Sequence, residues 1–287
     1  MSTVISDIPA EAPALNFEER MQQAEVGRKL TSLTQAIVYP AIGMSALLLA
    51  WWMGGRWIAN HPDLSGFSDF APAPTLAALQ AMWESGTIWK PILPSLIRIG
   101  TAMLYATLLG VPVGIAIGRF RTLKQTFNMP MQFLRLISPL AWMPIAVMVF
   151  ETWESSIVFV ITAAAIWPII FSTSNGLSKI DPDWYTVSRN LGANPLQQLW
   201  YVILPATAQD IFTGLRLALG VAWVVLVPAE FLGVTSGLGY AINDARDCLE
   251  YDRLAATVVV IGVIGFALDS VLRLAIQRVN WVEARNQ

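Results

Sequence analysis

The chain of 287 residues is 55% hydrophobic and only 13% charged, about half the charged share of a soluble globular protein, and its mean hydropathy is +0.54. A net charge of −2 offers no broad basic surface for nucleic acid, and a single cysteine, Cys248, and a single histidine, His61, exclude an intrachain disulfide, a thiolate metal cluster and a histidine metal site. Such a composition belongs to an all-α, polytopic membrane bundle.

A polar tail, residues 1–36, comes first and carries Arg20, Arg28 and Lys29; its stretch "NFEERMQQAEVGRKL" predicts a cytoplasmic amphipathic helix. The first apolar run begins only at Ile37, which reads as a retained signal anchor and not a cleaved signal peptide. A spanning helix needs about 20 apolar residues, and about six stretches qualify: 37–58, 93–118, 130–150, 156–176, 214–233 and 254–275. The transmembrane domain is therefore 37–276, followed by a tail at 277–287.

Lysine and arginine collect on the cytoplasmic side of a membrane. With the N-terminus inside, 13 of the 18 basic residues fall there, among them Arg119, Arg121, Lys124 and Arg135, then Lys179, Arg189 and Arg216. Only Arg56, Lys90, Arg246 and Arg253 fall outside, so both termini are expected in the cytoplasm. Trp51, Trp52, Trp57, Trp89 and Trp153 gather near the outer interface, where indole rings prefer to sit.

Prolines recur inside the spans, at 112, 139, 144, 168 and 228. Each costs a helix interior in water roughly 3 kcal/mol, but neighbouring helices or trapped water re-satisfy the freed carbonyls in a bundle, and broken helices often line a pathway. Gly110, Gly114 and Gly118 share one helical face and predict a close approach of another backbone. Arg98 is the one basic residue well inside a span; it either attracts an anion from the outer cavity or pairs with a carboxylate such as Glu230. Ser138 with Pro139 at a helix start, and Trp142 and Trp223 as gates, complete the candidate pathway residues, though core packing is the better reading of each.

The segment 177–213 is too long for a connector between adjacent helices, usually 2–8 residues. It predicts a short helix capped by Asp181 or Asp183 and running to about Leu191, a left-handed Gly192, and a second helix capped by Asn194 with Pro195 at its first position. Pro205 is expected to end that helix or turn it back towards the membrane. Its apolar residues, including Trp184, Val187, Leu191, Leu196 and Trp200, suit either a surface that docks into something or one that folds back onto its own bundle.

In "VSRNLGANPLQQLWYVILPA" the spacing of Gly192 to Val202, Leu204 and Pro205 resembles the cytoplasmic coupling loop of ATP-binding-cassette importer permeases, whose pattern is E-A-A, three residues, G, nine residues, I-x-L-P. Thr186, Val187 and Ser188 stand where that pattern has E-A-A. The resemblance extends from about residue 90 to 275 through "SLIRIGTAMLYATLLGVPVGIAIGR", "LISPLAWMPIAVMVF" and "PAEFLGVTSGLGYAINDARD", and it is greatest for the branch that imports nitrate, bicarbonate, sulfonates and taurine. It implies a type I importer permease fold and a bacterial inner-membrane location. The implied partners are a second permease copy, two cytoplasmic ATP-binding subunits and an extracytoplasmic solute-binding protein.

Contact with the ATPases would then fall to Thr186, Val187, Ser188, Asn190, Leu191, Gly192, Ala193, Asn194 and Pro195. No cofactor is expected on this chain: no glycine is followed by lysine, so there is no phosphate loop, and ATP and Mg would be held by the partners. Nitrate is the first substrate expected, bicarbonate or an organosulfonate the alternatives. A secondary anion transporter or channel would show inverted repeats and midplane ionisable residues, which are not evident, and an intramembrane enzyme lacks a nucleophile with a base.

Overall fold

The computed structural model describes the backbone of residues 17–285 and the side chains of 37–277 apart from Ser65. The chain falls into two units divided at Pro72. In the first, α1 (Phe17–Ala59) runs without a break across the predicted boundary between tail and span; the side chains of the expected amphipathic stretch lie outside the described residues. From Ile37 onward its apolar side chains are exposed, Tyr39, Ile42, Leu47 and Leu49 among them, as suits a helix whose solvent is lipid. Trp51 donates its indole N–H to the Phe70 carbonyl at 2.9 Å, and so fastens the helix end to the 3₁₀ stretch Pro62–Phe70.

The second unit holds α2 (Pro72–Glu84), α3 (Trp89–Arg119), α4 (Arg121–Leu136), α5 (Met143–Val149), α6 (Trp153–Leu177), α7 (Pro182–Asn190), α8 (Pro195–Gln198), α9 (Leu204–Gly233), α10 (Leu238–Asp247) and α11 (Tyr251–Arg285). Helices α3, α6 and α9 form its centre. Their shared core is rich in alanine, with Ala102 and Ala106 on α3, Ala164 and Ala165 on α6, and Ala218, Ala222 and Ala229 on α9. Small side chains bring helix axes together where lipid supplies no hydrophobic drive, and dispersion contacts then carry the association.

Gly110, Gly114 and Gly118 of α3 sit on this seam. A β-carbon on Gly114 would lie 2.9 Å from the Ile170 carbonyl oxygen and 2.7 Å from Cβ of Thr173; one on Gly118 would meet Leu177 and Ser174 of α6. The stripe therefore serves packing within the chain. Pro112, Pro168 and Pro228 all remain inside continuous helices.

Among the described residues five helices are long and apolar enough to cross a membrane, and a bent pair makes a sixth crossing if taken as one span. Two expectations need correction. The stretch 130–150 is not one straight helix: α4 ends at Leu136, Ile137 and Ser138 are extended, a 3₁₀ turn covers Pro139–Trp142, and α5 leaves at 89° to α4. Pro139 offers no N–H and disfavours a helical Ser138, and Pro144 suits the first turn of the new helix.

Pro205 does not end its helix. The residues Leu199–Ile203 form a wider π turn in which the Leu204 N–H reaches back five residues to the Leu199 carbonyl. Widening the turn just before Pro205 absorbs the bond that proline cannot make. Consequently α8, the π turn and α9 make one rod, Pro195–Gly233, and the span predicted at 214–233 belongs to a helix ten residues longer.

Candidate functional site

Where α6 ends, the chain turns through a segment held by its own backbone. Asp181 accepts the Asp183 N–H at 2.9 Å and caps α7, with Pro182 at the first helical position. At the other end Gly192 adopts φ +80°, its N–H reaches the Arg189 carbonyl at 2.9 Å, and the Ala193 N–H reaches Ser188 at 3.0 Å. That bond pair closes a Schellman turn, for which glycine is the favoured residue. Asn194 then accepts the Gln197 N–H at 2.8 Å while the Gln197 side chain accepts the Asn194 N–H at 2.9 Å, a reciprocal cap ahead of Pro195.

These local bonds leave an apolar face uncovered. Leu191 is 82% and Tyr201 80% exposed, and Trp184, Val187, Leu196 and Trp200 are each more than half exposed. Thr186, Asn190, Gly192, Asn194 and Pro195 are exposed beside them, Ala193 is half-buried, and Ser188 and Gln198 are buried. The Arg119 guanidinium stacks over the Tyr185 ring at 5.0 Å; burial pushes the Tyr185 phenol above its ordinary value, partly offset by that positive charge. Lys179 pairs with Asp210 at 2.6 Å across a cleft of about 820 Å³ that also carries Asp181, Trp184 and Gln209.

At the opposite ends of α3, α6 and α9 a buried polar cluster surrounds Arg98, which is 2% exposed. Its Nε and Nη2 donate to the two oxygens of Glu154, at 2.7 and 2.5 Å; Nη1 donates to Glu230 at 2.6 Å and to the Ser236 carbonyl at 2.8 Å; Nη2 also donates to the Ser236 hydroxyl at 2.8 Å. All five donors of the guanidinium are thereby used. Glu230, wholly buried, further accepts from the Ser95 hydroxyl and from the Gly239 N–H, and Ser95 accepts the Leu238 N–H at 2.9 Å. Gly237, at φ +107°, lies so close that any side chain there would collide with Arg98 and Glu230. The cluster pins the α9–α10 turn to α3 and α6, and of the two readings of Arg98 the geometry displays the pairing with Glu230.

Three further pathway candidates are scattered. Ser138 is exposed at the break after α4 and forms no side-chain cap bond. Trp142 packs against the central core, and Trp223 lies between that core and a second apolar cluster, its indole nitrogen close against Gly265 of α11. Sequence reasoning missed Glu154, which falls between the predicted spans 130–150 and 156–176, and Ser95. A signal for each existed: Ser95 stands three residues before Arg98 on one helix face, and Glu154 follows Thr152, whose hydroxyl caps α6.

Residues 110–281 match the family model described as "Binding-protein-dependent transport system inner membrane component". The chain is 35% identical over 243 residues to the taurine transport system permease protein TauC of Escherichia coli, covering 82% of this chain and 86% of that protein. It is 37% identical over 188 residues to the bicarbonate transport system permease protein CmpB of Synechococcus elongatus (65% and 67% covered), and 30% identical over 244 residues to the nitrate import permease protein NrtB of Synechocystis (81% and 86% covered). In fold it is similar to a chain of the inward-facing MetNI methionine ABC transporter, with a TM-score of 0.53 at 16% identity over 65% of this chain and 93% of that one.

Proposed function

Because this chain belongs to the family of binding-protein-dependent transport system inner membrane components, and is a transporter subunit and not an enzyme, we propose that the solute it passes is a small oxyanion, with nitrate the first candidate. It is the permease subunit of an ATP-binding-cassette importer in the inner membrane. Relatives named for taurine, bicarbonate and nitrate transport share a compact, negatively charged oxygen-bearing group, which supports the class above any one member.

The observation that carries the mechanism is the uncovered apolar face of 184–201. A solvated loop has no use for Leu191 at 82% exposure beside two exposed tryptophans, whereas a partner protein gains by burying them. On this reading the segment 177–213 faces the cytoplasm, as do both termini, and receives one of two ATP-binding subunits on each copy of a permease dimer. ATP and Mg stay on those subunits, and no cofactor resides here. A solute-binding protein delivers the anion at the other face, near the Arg98 cluster. Since α8, the π turn and α9 form one rod from Pro195 to Gly233, motion imposed at the segment passes into the central helix without a joint.

Co-purification with the ATPase subunits tests the docking directly. Replacing Val187 and Leu191 together by glutamate should leave the permease in the membrane and remove the ATPases from it; retention of the ATPases by that variant would overturn the assignment of the face.

A further inference from the structure

We infer that Arg135, at the broken third crossing, is the positive side chain that contacts the anion in the cytoplasmic half of its path, an inference that rests on the oxyanion reading above. Arg135 lies in the last turn of α4, two residues before the extended Ile137. It lines a cavity of about 520 Å³ together with Ile137, Pro139 and Trp142 on one side and Trp167 and Pro168 of α6 on the other.

The cavity lies towards the end of α6 that leads into the segment 177–213. The Arg135 guanidinium stacks 5.1 Å from the ring of Phe171, six residues before the end of α6, or about 9 Å along the helix. Irregular backbone at membrane depth is stable only where it is buried in protein or lines a wet cavity. Ser138 is exposed at this break, and on the proposed path the cavity beside it holds the hydrated anion.

Pairing then distinguishes Arg135 from Arg98 and Arg216. Arg98 has both of its carboxyl partners and no donor left, and Arg216 is held by Asp269 at 2.7 Å. No acidic residue occurs in the sequence between Arg98 and Glu151, and among the described residues no carboxyl group pairs with Arg135; its contact is the face of Phe171. An exposed guanidinium without a carboxyl partner, beside a cavity at a broken crossing, is poised to take an anion as its transient partner.

Reconstituted complex with its ATPases and binding protein, assayed with labelled nitrate, bicarbonate and taurine, tests this. Arg135→Gln should assemble normally and lower uptake about 10- to 100-fold, the worth of one hydrogen bond to a charged group, while Arg135→Lys keeps most of it. In a Cys248→Ser background, Arg135→Cys should regain uptake with a cationic methanethiosulfonate reagent and not with an anionic one. Wild-type uptake by Arg135→Gln, equal rescue by both reagents, or loss of assembly in both neutral variants would overturn the inference alone. If the wild-type complex transports none of the three anions, the oxyanion reading fails and this inference with it.

Discussion

Arg98 has five N–H bonds, and the fold supplies each with an acceptor drawn from α6, α9 and the turn that follows α9. Removing one partner of a buried ion pair leaves the other charge without solvation and costs roughly 3–5 kcal/mol. Arg98→Ala should accordingly lower the yield and thermal stability of the folded permease, read by fluorescence-detected size exclusion; a stable, well-assembled variant with weakened anion uptake would instead return Arg98 to the pathway. The pairing with Glu230 was open to sequence reasoning because both residues stand near one end of apolar runs. Glu154 was not, since its approach to Arg98 across 56 residues depends on how α3 and α6 pack. Gly192 is a second residue with a single task. At φ +80° a β-branched side chain is strained by about 1–3 kcal/mol, and Gly192→Val should open the turn and uncouple the ATPases. Substrate-stimulated ATPase activity equal to wild type in that variant would contradict this.

Among the elements, the seam between α3 and α6 gives a clean contrast on one helix. A β-carbon at Gly114 meets backbone at 2.9 Å, whereas one at Gly100 meets nothing within 4 Å. Gly114→Ala should therefore destabilise by about 1–3 kcal/mol through overpacking, while Gly100→Ala, which adds helix propensity at no steric cost, should be neutral or stabilising. Equal melting temperatures for the two variants would contradict the seam. The stripe was legible because four-residue spacing alone places glycines on one face. Caps were legible for a similar reason: Asp181, Asn194, Pro195 and Gly192 each act on backbone within a few residues. The 89° break after α4 and the π turn before Pro205 were not, since proline announces a disturbed bond but leaves kink, bulge and break equally open. What decides between them is the packing of Trp142 and Met143 on the central core and the continuity of α9.

For the whole molecule, hydropathy located the crossings because a bilayer demands long apolar runs whatever the fold. Boundaries shifted where a helix continues beyond the lipid, as α9 does towards α8 and α11 does past residue 277. The short helices α2 and α10 escaped notice, being neither long nor uniformly apolar. Substrate identity is the least legible property, because the spans hold few polar groups and the relatives divide among taurine, bicarbonate and nitrate. The central claim is that ATP hydrolysed by partners drives an oxyanion through this chain. Its most direct test is uptake of labelled nitrate into vesicles carrying the permease, its ATPases and its binding protein, with unlabelled bicarbonate and taurine as competitors. The account predicts uptake that requires both ATP and the binding protein and is not displaced by either competitor; nitrate entry that proceeds without ATP would contradict it.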